Sequence, residues 1–208
     1  THKLDKGTMN SLDIETAGKA DSYALEPWRY PNDGWIESVA VCYEDGTVKQ
    51  IEDMDELPSL LATLEDKETW AHNGPFDVAW MLNYVPKSIL NKIKWKDTLL
   101  AAKWLLNGQK LEKKQKYGKF GLDLDNLITT FLKQHPQYER FHEIKSMDVA
   151  PGEDPEYWLE RGHLDALLTK DLGIYFYSKM EEGLKRGFDI ECRCIVPIAE
   201  SWLRGIRL

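Results

Sequence analysis

Polar and apolar positions alternate from Thr8 to Thr16, where Leu12 and Ile14 are interleaved with Asp13 and Glu15. The spacing predicts a strand that ends in Ala17-Gly18. Residues 19–34, with Asp21, Pro27, Pro31, Asn32, Asp33 and Gly34, read as a loop. A second strand follows over Trp35–Tyr43, and Glu44-Asp45-Gly46 turns into a third over Thr47–Ile51. Asp55–Leu64 reads as a helix with Pro58 early in it, and Glu68–His72 as a short fourth strand. Phe76–Tyr84 has helical apolar spacing, and Asp97 caps a helix that runs to the Asn107-Gly108 stop. Leu122–Leu132 is a further helix, followed by a loop around His135-Pro136 and a Pro/Gly/Asp-rich stretch at 148–155. Pro155–Leu184 carries a long helical pattern, with candidate interruptions at Gly162 and Gly173. Strands first, then one strand after a helix, then helices: this order suits a mixed α/β sheet covered by helices.

Composition sharpens the picture without changing it. The 208 residues are 42% hydrophobic and include eight Trp, nine Tyr and six Phe, enough for the core of one ordinary domain. No apolar run approaches the roughly 20 residues a membrane-spanning helix needs. The polar start Thr1–Lys6 and three cysteines without metal-ligand spacing (Cys42, Cys192, Cys194) lead us to expect a cytoplasmic, reducing setting. The net charge of -8 argues against a protein that coats nucleic acid non-specifically, but not against an enzyme whose carboxylates hold cations. The Lys103–Lys119 region holds six lysines and one acid, Glu112. It reads either as a solvated loop or as a strip for phosphate contacts.

Asp13 and Glu15 lie two residues apart on a strand, so both side chains leave the same face of the sheet. Adjacent carboxylates repel unless a cation lies between them, and hard oxygen donors suit Mg²⁺ or Mn²⁺ better than zinc. Asp77 stands where a strand-end loop, His72–Phe76, enters a helix. It reads as a ligand or as a complement to the helix dipole. Asp171 lies mid-helix among Leu167, Leu168, Leu172 and Ile174, and reads as a ligand or as part of a solvent-facing side.

These residues, taken in order, resemble the DEDD group of 3′→5′ exonucleases. Asp13-Ile14-Glu15-Thr16 is similar to the first exonuclease motif and Asn73-Gly74-Pro75-Phe76-Asp77 to the second. Asp97–Lys103 is similar to the helix between motifs two and three, and Lys119–Leu127 to the stretch that introduces the next helix. Lys170-Asp171-Leu172 stands where we expect the acid of the third motif. Glu191–Leu208 resembles the segment joining exonuclease to polymerase in family A (DNA polymerase I-like) DNA polymerases. The resemblance divides the chain into an exonuclease domain at 1–186 and, at 187–208, the start of a connection to a polymerase domain of a longer parent chain.

The implied fold is a ribonuclease H-like mixed five-stranded sheet, its first three strands antiparallel, flanked by helices. The implied activity is two-metal-ion hydrolysis of the terminal phosphodiester of single-stranded or frayed DNA, proofreading for the polymerase and releasing nucleoside 5′-monophosphates. Asp13, Glu15, Asp77 and Asp171 are the expected catalytic and metal-holding acids, with two Mg²⁺ or Mn²⁺ ions. Leu12, Thr16, Asn73, Phe76, Lys113, Lys114 and Lys116 are the expected contacts to the single-stranded DNA 3′ end; no membrane is expected as a partner. One feature departs from the pattern. The family carries Tyr four residues, or His five, before the third-motif acid; counted from Asp171 these positions are Leu167 and Ala166. His163 is then the candidate for positioning water, although eight residues of helix place it roughly 12 Å along the axis. That departure keeps open a catalytically degenerate domain for structure or single-strand binding, beside an exoribonuclease of the same fold.

Overall fold

The computed structural model describes residues 9–20, 24–106, 121–147, 149 and 154–205. Its sheet is built around β1 (Met9–Gly18). The alternation read from the sequence holds there: Leu12 is fully buried and Ile14 nearly so on one face, and Ser11, Asp13 and Glu15 occupy the other. β2 (Gly34–Cys42) pairs antiparallel with β1, and β3 (Val48–Ile51) antiparallel with β2. Asp45 secures the intervening turn by accepting from the Thr47 amide at 2.9 Å, and Gly46 adopts the positive φ of 88° that the turn requires. β4 (Glu68–Ala71) and β5 (Lys94–Asp97) run parallel to β1, giving the order β3-β2-β1-β4-β5. This is the mixed five-stranded sheet with three antiparallel strands at the start that the family resemblance implied.

The helices are α1 (Leu57–Ala62), α2 (Gly74–Met81), α3 (Lys87–Leu90), α4 (Thr98–Leu106), α5 (Leu124–Phe131), α6 (Tyr138–Ser146), α7 (Pro155–Lys179), α8 (Glu182–Cys192) and α9 (Ile195–Arg204). Several elements escape the sequence pattern, β5, α3 and α6 among them. β5 is four residues of Lys-Trp-Lys-Asp, whose Lys96 is buried only because Asp189 and Glu68 neutralise it. α3 is a single turn, and α6 is mostly polar, burying Phe141 and Ile144 alone. α8 runs unbroken across residues 186 and 187, and α9 packs on α2 through Ile195, Val196 and Ala199.

The long helix α7 lies along β1 and β2 on the face that bears the acids. The Ser11 hydroxyl donates to the Ala166 carbonyl at 2.6 Å. The helix is continuous through both glycines and ends at Lys179, so the expected interruptions do not occur. The glycines serve packing instead. A Cβ at Gly173 would lie 2.5 Å from the Trp70 indole, and one at Gly162 would lie 3.5 Å from the Glu15 side chain. Together with Ala166 and Thr169, they let α7 sit close against the sheet.

Candidate active site

The site forms where β1 leaves the sheet centre. Among the described residues, Asp13, Glu15 and Asp165 bring one carboxylate oxygen each to within 4.8 Å of one another. Asp13 and Glu15 project together because of the strand period. Asp165 reaches them because α7 runs back along β1. Asp77, in the first turn of α2, stands beside the group, close enough for its charge and those of Asp13 and Glu15 to act on one another. One oxygen of Asp77 and one of Asp165 are buried without a hydrogen-bond partner.

The loop that presents Asp77 is clamped by Asp97 at the end of β5. The Asp97 carboxylate accepts from the amides of Gly74 at 2.9 Å, Asn73 at 3.3 Å, Leu99 at 2.7 Å and Leu100 at 3.1 Å. Asp97 thereby caps α4 and fixes the start of α2 with one side chain. Asn73 takes the left-handed conformation, φ 62°, that turns β4 into α2; asparagine tolerates it better than most residues. His72 is packed beside the site with Nδ1 2.9 Å from the Thr98 hydroxyl, and burial pushes its pKa down to about 4.

Four acids this close need compensation. Burial is the first cause of raised carboxyl pKa values here. It lifts Asp13 well above the carboxylate range, with the Asp165, Glu15 and Asp77 charges adding to it. Burial likewise lifts Asp77 and takes Glu15 to about 7, although the Arg161 guanidinium pulls Glu15 back. Two cations stand inside the cluster. Lys145 from α6 lies 2.9 Å from Asp165, and the Arg161 Nε lies 3.5 Å from Glu15 and 3.8 Å from Asp165. Arg161 also stacks 4.8 Å from the Trp158 ring centroid.

The placement corrects several sequence expectations. Asp171 does not join Asp13, Glu15 and Asp77. It lies six residues, about 240° of helix rotation, beyond Asp165, and its carboxylate pairs with His135 Nε2 at 2.8 Å. Asp165 occupies the place expected for it. Counted from Asp165, the position of the family tyrosine is Arg161 and that of the histidine is Glu160. On the pattern that the resemblance implies, the departure then falls on Arg161 rather than Leu167. His163 is exposed and lies along a surface groove with Gln50, Gln137 and Arg140, on another side of α7 from Asp165, so it does not face the acids.

Leu12 has no exposed surface and packs in the core, which removes it as a contact for a terminal base. The Thr16 hydroxyl is committed to the Ala24 carbonyl at 2.8 Å. Phe76 and Asn73 are partly exposed beside Asp77. Lys113, Lys114 and Lys116 lie outside the described residues. Asp165 was legible in principle, because Trp158, Gly162, Asp165, Thr169, Gly173 and Phe176 form one buried stripe at helical spacing that Asp171 does not share. Lys145 carries no such signal, and neither does the pairing of Arg161 with Glu15, since these partners lie on other elements.

The donor set fits a hard divalent cation: carboxylate oxygens, two of them without partners, and no sulfur or imidazole donor in the cluster. Comparison with known proteins agrees on the fold. No family model matches the sequence, and no curated protein is similar to it in sequence. Two solved structures of Brucella melitensis NrnC, one with bound Mg²⁺, each superpose with a TM-score of 0.65 over 95% of this chain and 86% of theirs, at 19% and 18% identity. The family B DNA polymerase of the hyperthermophilic archaeon Pyrobaculum calidifontis superposes with a TM-score of 0.52 at 14% identity, over 94% of this chain and 28% of the polymerase. At these identities the likeness is one of fold, and the strand order fits the ribonuclease H-like architecture. Among the described residues, no helix is long and apolar enough to cross a membrane.

Proposed function

We propose that this chain is a divalent-cation-dependent 3′→5′ exonuclease acting on single-stranded nucleic-acid ends. The observation that carries the reading is the convergence of Asp13, Glu15, Asp77 and Asp165 from a strand and two helices, with partnerless buried oxygens on Asp77 and Asp165. Such a cluster is unfavourable without a cation, since like charges in a desolvated site raise one another's energy. Bound there, Mg²⁺ or Mn²⁺ would supply an activated water and neutralise phosphate charge. Asp13, Glu15 and Asp165 would hold the ions, and Asp77, on the loop and helix start that Asp97 fixes, would close the set.

Arg161, held over Trp158, is placed to meet a phosphate oxygen with its guanidinium. Phe76 and Asn73, partly exposed beside Asp77, are the candidates for the terminal nucleotides. The lysines at 113, 114 and 116 remain proposals for the phosphates of the incoming strand.

The narrower reading takes DNA as substrate and proofreading for a family A polymerase as the setting. It is supported by the C-terminal resemblance at Glu191–Leu208 alone. A degenerate domain is favoured by one observation, Arg161 at the tyrosine position, because a guanidinium does not accept a proton from water.

The test is digestion of 3′-labelled DNA and RNA oligonucleotides with Mg²⁺, Mn²⁺ or EDTA, beside Asp13→Ala. Metal-dependent stepwise release of mononucleotides, lost in the variant, is expected. A folded wild type that releases nothing with either ion leaves the binding-module reading in its place.

A further inference from the structure

The positive charge inside the acid cluster is unevenly held. The Lys145 ammonium touches two carboxylates on two different helices: Asp165 of α7 at 2.9 Å and Asp125 of α5 at 3.5 Å. Asp165 is buried within the cluster, whereas the Asp125 side chain is a quarter exposed and stands outside it. The lysine itself is only 13% exposed, and its ammonium lies 5.4 Å from the Phe141 ring centroid. An ammonium on a flexible stem, poised between two acceptors, changes partner by a small rotamer shift. Among the described residues, the carboxylates that Arg161 approaches, Glu15 and Asp165, both belong to the cluster and offer no such exit.

Building on the divalent-cation site of the proposed function, we propose that Lys145 is the resident counter-ion of that site. It pairs with Asp165 when the site is empty of metal and hands over to Asp125 as a divalent cation enters. The structure contains both ends of this movement in one geometry. Asp165 keeps one oxygen without a partner and gives the other to Lys145, so a cation that draws on both oxygens competes with the ammonium. Asp125 gives the displaced charge a partner, which spares the cost of a buried, unpaired ammonium. Lys145 is thus a positioning residue, acting through Asp165, and it lowers the affinity for metal while Asp125 restores part of it.

The two ends predict opposite effects, which a merely structural role would not produce. In calorimetric titration with Mn²⁺, Lys145→Met is expected to bind about tenfold more tightly than the wild type, because no ammonium competes. Asp125→Asn is expected to bind about tenfold more weakly, because the displaced ammonium has nowhere to go. If Lys145→Met fails to fold without metal, Lys145→Gln replaces it, and Asp125→Asn, at the partly exposed seat, tests the hand-over by itself. Unchanged or weaker binding in the Lys145 variants, or unchanged or tighter binding in Asp125→Asn, overturns the hand-over while leaving the metal site standing. Absence of Mn²⁺ binding by the wild type overturns both.

Discussion

The two halves of α7 lie against the same sheet and solve opposite problems. The C-terminal half presents Leu168, Leu172, Gly173 and Phe176 to a dry core, where Trp70 stacks on Phe188 with ring centroids 5.6 Å apart. The N-terminal half presents Arg161, Gly162 and Asp165 to Asp13 and Glu15. In the first half the contacts of Leu168, Leu172 and Phe176 add dispersion and hydrophobic burial. In the second, buried charges oppose one another, and Lys145 and Arg161 offset only part of the repulsion. One rigid helix joins them, so the packed half holds the acid of the strained half in place. A site that would not assemble by its own energetics is positioned by a core that would.

Substitutions that separate the halves test this directly. The largest effect belongs to Asp165→Asn, which should reduce nucleotide release on the order of a hundredfold or more, since even outer residues of metal sites cost 10–100-fold. Asp171→Asn should stay within about twofold of wild type in the same oligonucleotide assay, because its carboxylate faces His135. Equal losses in the two variants would return the third-motif role to Asp171. Next in size is Gly173→Ala, which forces a methyl to within 2.5 Å of the Trp70 indole. Overpacking of that kind costs about 1–3 kcal/mol, read from urea unfolding. A variant as stable as the wild type would mean that the packed half is looser than the geometry indicates.

The smallest effect is one of pH. Glu15 rises from an ordinary 4.5 to about 7 in the folded chain, chiefly through burial. The folded state therefore holds a proton that the unfolded chain has released, and stability without metal falls as pH rises through 7. Asp13 and Asp77, also raised, act in the same direction. His72 opposes them: its depression from 6.5 to about 4 makes stability rise with pH between those values, after which it is neutral in both states. Between pH 6.5 and about 8, then, Glu15 alone should cost about 1 kcal/mol in metal-free protein. Saturating Mg²⁺ should cancel the slope, since the carboxylate is then held ionised. Urea unfolding at the two pH values, with EDTA and with Mg²⁺, reads the difference. Stability that rises with pH in EDTA would contradict the burial of Glu15.

How much of the site was legible depends on how far each residue lies from what defines it. The shared face of Asp13 and Glu15 follows from the two-residue period of a strand, whereas for Asp77 the local sequence left a helix-dipole role open and only the ordered motifs pointed to the cluster. The strand pattern of β1, β2 and β3 was equally local. β5 was hidden because its four residues are mostly charged, and their burial rests on Asp189, more than ninety positions away. Asp171 was read in place of Asp165 as a member of the cluster for a related reason. Asp165 and Asp171 lie on one helix within six residues, and only the face that α7 turns to the sheet separates them.

The sequence by itself determined a mixed α/β sheet, the two acids of its central strand and the loop that carries the third, because strand alternation and helix entry are properties of neighbouring residues. Only the tertiary structure decided that Asp165 completes the group, that Leu12 belongs to the core, and that Lys145 and Arg161 stand among the acids. The physical reason is that buried charge is set by what the fold brings within a few ångströms, and those partners come from helices up to 150 residues away in the chain.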